Sequence, residues 1–260
     1  MDQDINRYIY NSVSDYKVVT CNASKVSSDV FPKMLSKVKF EPKKYNLVLV
    51  KPNLCGMYHP QLQLLECTLK YFEPLAKRLV IGETDSMGHT PEKQFRRLGI
   101  WNLIKKFKGK VEAVNLMRDE ILNLEVPSPH AIDHLPIPNL VHNCDLLVNI
   151  SKVGTHSRTM LTCALKNLFG LLAEKNKYGV YHPLGVDKVI ADLAKIVRCD
   201  LNIVDARDRV IVGLDPLSVD IFACKFVNLD PLQVGHLELV SQDRNLKLNE
   251  IMNQIKIIKI

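Results

Sequence analysis

Residues 45–53 read YNLVLVKPN, and the fold turns on how that stretch is understood. Residues 45–50 form a largely apolar run, the mark of a β-strand covered on both faces rather than one with a wet side. The run stops at Lys51-Pro52-Asn53, and a helix is predicted from about Gln61 to Phe72, ended by Pro74. A doubly buried strand, a polar corner and a helix make up the repeating unit of a parallel sheet.

Outward from this stretch the unit recurs. Residues 16–21 (YKVVTC) read as a strand and 30–38 as a helix. Residues 78–82 (RLVIG) and 111–116 read as further strands, with a helix at 91–98 opened by Thr90 as N-cap and Pro91 at the first turn. Residues 145–150 (DLLVNI) read as another buried strand, 201–205 as the next, and 255–260 (IKIIKI) as a last edge strand. Helical patterns cover 158–172, 186–197 and 218–227, the last capped by Asp215 with Pro216 behind it. The first twelve or so residues read as an N-terminal arm. Between 125 and 143, Pro127, Pro129, Pro136 and Pro138 exclude a continuous helix and predict an extended connection or strand pair. The expectation is one α/β domain over 1–260, a mainly parallel sheet with helices on both faces, with 119–144 as a small subdomain or long connection.

Composition narrows the function. A chain of 260 residues with 47% hydrophobic and 24% charged residues is neither disordered nor a small disulfide scaffold. No apolar run approaches a membrane span, and the acidic, polar opening MDQDINRYIY does not resemble a signal peptide, so a cytoplasmic location is expected. The net charge of +7 favours anionic partners. Its clusters at 105–110 and Lys43-Lys44 each have a single aromatic neighbour, too few for a base-stacking platform, so nucleic-acid binding is disfavoured. The seven cysteines, at 21, 55, 67, 144, 163, 199 and 224, contain no C-x-x-C, so the chain is expected to hold reduced thiols and no iron–sulphur cluster of its own.

In parallel α/β sheets ligands sit beyond the C-terminal ends of the strands. Here those ends carry Lys51 and Asn53, then Glu83, Asp85 and His89, then Lys152, Thr155 and His156, then Asp205 and Arg207. The 82–91 stretch, GETDSMGHTP, offers free backbone N–H groups near a helix start, which suits an anion, and His89 is a residue type able to exchange protons near neutral pH. Lys152, His156, Arg158 and Lys166, followed by His182, form a dense cationic set. Lys166 follows Leu161 and Cys163-Ala164-Leu165 and is expected to be buried, hence in need of an anionic or covalent partner. Asp205, Arg207 and Asp208 read as a salt-bridge network. His130, His134 and His142 lie among prolines that argue against a helical metal site.

Four phrases in order, VLVKPNL (48–54), KVGTH (152–156), ALKNLFG (164–170) and GLDPLSVD (213–220), resemble the prokaryotic family known as domain of unknown function 362, some members of which are attached to iron–sulphur modules. That resemblance implies a possible role as a redox or cofactor-carrying accessory of an iron–sulphur partner. More distantly, the chain is similar to the nickel-dependent lactate racemases. Gly88-His89 matches that family's first histidine step. His156, Lys166 and His182 match its His–Lys–His order, with ten residues from His156 to Lys166 and sixteen from Lys166 to His182. This similarity implies His89 and His156 as the acid/base pair and Lys166 as the tether of a nickel-pincer nucleotide, with Asp85 and Thr155 beside it. It implies His182 as a ligand to nickel or another metal. Lys51 stands where that family has an arginine on the substrate carboxylate, so Lys51, Asn53 and Arg158 are the substrate-binding candidates. The preferred expectation is an enzyme acting on a small carboxylate- or phosphate-bearing substrate, with racemase- or epimerase-like proton transfer as its most concrete form. A basic nucleic-acid-binding protein is the most distant alternative.

Overall fold

The computed structural model describes residues 16–54 and 58–260; the expected N-terminal arm and Cys55 lie outside the described residues. Twelve strands follow along the chain: β1 Lys17–Asn22, β2 Tyr45–Pro52, β3 Ala76–Glu83, β4 Val111–Asn115, β5 Ile121–Glu125, β6 His134–Pro138, β7 Leu146–Lys152, β8 Gly154–His156, β9 Met160–Thr162, β10 Leu201–Ala206, β11 Arg209–Gly213 and β12 Lys256–Lys259. Eight of them form one sheet in the order β12-β1-β11-β10-β7-β2-β3-β4. Every pairing is parallel except the two made by β11.

Strand alternation explains why 47–50 are apolar at consecutive positions. Val48 and Val50 pack with Phe31, Leu65 and Phe72 on one face, while Leu49 packs with Leu168 and Leu193 on the other. Helices cover both faces. The order also defines a reversal: from β2 the chain winds outward through β3 and β4, then returns to place β7 and β10 on the opposite flank. The crevice at the C-terminal ends of β2 and β7 is therefore the topological switch point, where ligands of open α/β sheets bind.

Three local expectations are corrected. Residues 158–172 are not one helix. An antiparallel β8–β9 hairpin comes first, and the helix spans only Ala164–Leu168, followed by a 3-10 turn at Phe169–Leu171. The buried Asp220 carboxylate fixes that start by accepting from Ala164 N at 2.7 Å and Leu165 N at 2.9 Å, a cap supplied from far along the chain. Thr90 holds the N-cap position of Pro91–Arg97 with its hydroxyl unbonded to the helix. In the 119–144 segment, β5 and β6 pair antiparallel as expected, and a short helix Asn139–Asn143, unread in the sequence, follows. Asp192 anchors the loop between those strands through the backbone N–H groups of His130, Ala131 and Ile132. Asp215 caps Pro216–Ala223 through Ser218 N, as expected, and also holds Arg244 at 2.7 Å. Six cysteines, at 21, 67, 144, 163, 199 and 224, are free thiols. No helix of the described residues is long and apolar enough to cross a membrane.

Candidate functional site

The switch point opens as a cleft of about 370 Å³ whose walls include Lys51, Asn53, His89, His156, Lys166 and His182. Six of the nine residues singled out from the sequence thus meet, from five separate segments. Asp85, Thr155 and Arg158 do not line this cleft. Asp85 accepts from the Asn115 amide at 3.0 Å, Thr155 is exposed on the β8–β9 hairpin, and Arg158 lines an adjoining lobe.

The floor is a closed polar network. Lys51 is 1% exposed and its ammonium donates to Glu83 Oε2 at 3.0 Å, Asn167 Oδ1 at 3.2 Å and the Pro52 carbonyl at 3.0 Å. A lysine ammonium has three donors, so all are engaged within the protein. Asn167 passes the network on to Asn149 Oδ1 at 2.6 Å, and Asn149 to Asn202 Oδ1 at 3.0 Å. Glu83 also receives the backbone N–H groups of Leu54 and Thr84. The buried lysine of the site is therefore Lys51. Lys166, expected to be buried, is half-buried: Leu165, Asn167 and Leu168 turn inward on their five-residue helix while Lys166 faces the cleft.

The walls behave differently. His156 Nδ1 accepts from Arg158 N at 3.2 Å and Thr159 N at 3.4 Å, which leaves the proton of the neutral ring on Nε2. Burial, with the charges of Lys166 and His182 next, pushes the His156 pKa down to about 4. His182 is lowered as well, by burial first and then by Arg158 and Lys166. Its Nδ1 is buried with no hydrogen-bond partner among the described residues, and its ring lies 4.1 Å from that of Tyr178, one helical turn back. His89 stands exposed on a tight turn in which Ser86 and His89 exchange backbone hydrogen bonds around Gly88, whose φ of 81° suits glycine. The Arg97 guanidinium donates to Gln94 Oε1 at 2.8 Å, which orients that amide so that its Nε2 donates to His89 Nδ1 at 2.8 Å. The proton of neutral His89 is thus also on Nε2.

Sequence reading missed several members of this site. Tyr58, Thr84, Phe169 and Lys177 complete the walls, and Lys177 Nζ donates to Thr84 Oγ1 at 2.9 Å and to the Asp85 carbonyl. Gly154, in the KVGTH phrase, was a usable signal: a Cβ there would sit 2.4 Å from the Tyr58 ring, so glycine is what admits that aromatic wall. Asp205 departs from the expected salt-bridge network with Arg207 and Asp208: its ion pair is with Lys152 at 3.6 Å, and Arg207 reaches it only through its backbone N–H, as Gln61 does. His130 pairs with Asp243 at 2.9 Å. The described residues hold no group of three or more His, Cys, Asp or Glu arranged to bind a metal ion.

The sequence model of the family described as "Domain of unknown function (DUF362)" matches residues 48–210. A thylakoid-associated protein of Synechocystis sp. is 29% identical over 120 residues, an alignment covering 40% of this chain and 37% of that protein. The chain therefore spans well under half the length of that curated relative. Among solved structures, the lactate racemase apoprotein from Thermoanaerobacterium thermosaccharolyticum is similar over 80% of this chain and 56% of its own, at 14% identity and a TM-score of 0.44.

Proposed function

Because this chain belongs to the family described as domain of unknown function 362, a description that assigns no reaction, we propose its function from the cleft: an enzyme acting on a small carboxylate- or phosphate-bearing substrate. Racemase- or epimerase-like proton transfer next to a carboxylate is the most concrete reaction. The observation that carries this reading is the positive potential of the cleft wall. Lys166 faces the cleft and Arg158 the adjoining lobe; after burial, which is the largest cause, both charges disfavour protonation of His156 and His182, with Asp187 opposing them at His156, and an anion beside Lys166 relieves that potential.

In such a site the Nε2–H groups of His89 and His156 donate to the anion. For proton transfer one of the two rings takes the proton of the carbon beside the carboxylate on its Nε2, and the other ring's Nε2–H stabilises the charge that develops on the oxygens. A neutral imidazole suits that work in a dry pocket. Either ring becomes a base only after its own proton shifts to Nδ1. At His89 that shift requires Gln94 to reverse its amide against Arg97. Lys51, with its donors engaged below, holds the floor and Asn53 lines it.

For a pincer nucleotide, Lys166 faces the cleft as a tether would and the His182 ring lines the same wall, whereas Asp85 and Thr155 lie outside it. When bound, such a group supplies a metal-centred hydride or electron acceptor. The test is incubation of protein from its native host with 2-hydroxy acids in D2O, reading deuterium at the carbon beside the carboxylate by NMR. Wash-in that is lost in His156→Gln supports the reading. Calorimetry showing no anion binding at all overturns it.

A further inference from the structure

A second cavity of about 530 Å³ adjoins the cleft and is lined by Ser157, Arg158, His182, Gly185 and Asp187. His182 belongs to the walls of both, so its ring is the partition over which the two communicate. Each lobe contributes a cation: Lys166 in the cleft and Arg158 in the second lobe. Both act on the same two rings, since each opposes protonation of His156 and of His182.

Arg158 also differs from other arginines of the protein. Arg78, Arg118, Arg198 and Arg244 each hold a carboxylate, whereas Arg158 makes no ion pair among the described residues. The acid of its own lobe, Asp187, is engaged elsewhere: its Oδ1 receives the His236 ring at 2.6 Å and the His236 backbone N–H at 3.1 Å. The planar fork of a guanidinium matches a carboxylate or phosphate with two parallel hydrogen bonds, and it is exposed to take one. Size points the same way. Cavities of roughly 300–1,000 Å³ suit ligands well above a three-carbon acid, and here two such spaces are contiguous. An anion seated at Lys166 alone leaves Arg158 uncompensated and the second lobe unfilled.

We propose that the natural ligand is a dianion, with one anionic group near Lys166 in the cleft, the other on Arg158 and Ser157 in the second lobe, and the connecting atoms passing over His182. This inference rests on the reading of the cleft as an anion site. A dicarboxylate and a phosphorylated carboxylate share the required chemistry. Titration calorimetry on the full chain at fixed ionic strength compares glutarate with butyrate, and 2-phosphoglycolate with glycolate. The expected result is at least tenfold tighter binding of the dianion in one pair, the pair identifying whether carboxylate or phosphate is recognised. Arg158→Gln, at an exposed position where the fold is not at stake, should bring each dianion down to the affinity of its monoanion counterpart. Equal affinities within both pairs, or a preference that survives Arg158→Gln, overturns the dianion and leaves the cleft as a monoanion site. Absence of binding by all four probes overturns the anion site as well.

Discussion

The floor and the wall of the cleft each hold a lysine, in opposite settings. In the floor, Lys51, Glu83, Asn167, Asn149 and Asn202 are all buried, and the ammonium, the carboxylate and the amides bond one another. In the wall Lys166 stands half-buried and His182 keeps a buried Nδ1 with no hydrogen-bond partner among the described residues, while Arg158 stands exposed in the adjoining lobe. A buried charge must be paired at once or it unfolds the protein; a partly solvated one can wait for a ligand. The difference separates the two lysines by place: the deeper one closes the floor, and the shallower one faces the cleft.

The largest expected effect tests the floor. Lys51→Met strands Glu83 and should lower stability by about 3–5 kcal/mol, read as a fall in the denaturation midpoint. Lys166→Met should cost about 1 kcal/mol or less while abolishing anion binding. Similar losses for the two would dissolve the distinction between floor and wall.

Two glycines sharpen it. A Cβ at Gly170 would lie 2.8 Å from Lys51 Nζ and 3.2 Å from Glu83 Oε1, inside the closed network, so Gly170→Ala should destabilise by about 1–3 kcal/mol. Gly154→Ala pushes on the Tyr58 ring at the cleft wall and should lower ligand affinity more than thermal stability. A reversed pattern in melting and calorimetry would break the comparison.

Protonation provides a smaller effect with a definite sign. The His156 pKa is about 4 in the folded protein, below the ordinary histidine value near 6.5. The unfolded chain therefore binds more protons between those values, and stability falls as pH drops from about 6.5 to 4. His156→Gln should flatten that limb, and an NMR titration should place the ring's midpoint near 4. A bound anion should raise the midpoint, because it offsets Lys166. A midpoint near 6.5 without anion would remove the positive potential on which the wall depends.

The smallest effect on stability is the most local. Gln94→Glu replaces an amide donor by a carboxylate acceptor, so the His89 proton should move from Nε2 to Nδ1, visible in the nitrogen-15 shifts of the ring. An unchanged tautomer would show that Gln94 does not position His89.

Much of this was legible along the chain. The strands at 45–52, 76–83, 146–152 and 201–206 were readable because a doubly covered strand must be apolar at consecutive positions. The convergence of Lys51, His89, His156, Lys166 and His182 was readable because parallel strands bring all their C-terminal ends to one edge. Lys166 itself was misread: apolar neighbours at 161 and 163–165 imply burial only if the helix runs through them, and it starts at Ala164.

What the sequence by itself determined was the set of local choices: strand or helix, where each ends, and which polar residues stand at those ends. These follow from side-chain periodicity and from breakers acting within a few residues. Tertiary structure alone decided which charge closes into the buried floor and which faces the cleft. Lys51 meets Glu83 across 32 positions and Asn167 across 116, and the Asp220 cap that sets the phase of the Lys166 helix comes from 56 residues on. Each of these is a hydrogen bond of fixed geometry between groups that only the sheet order brings within 3 Å or so of one another, and no periodicity along the chain encodes such a distance.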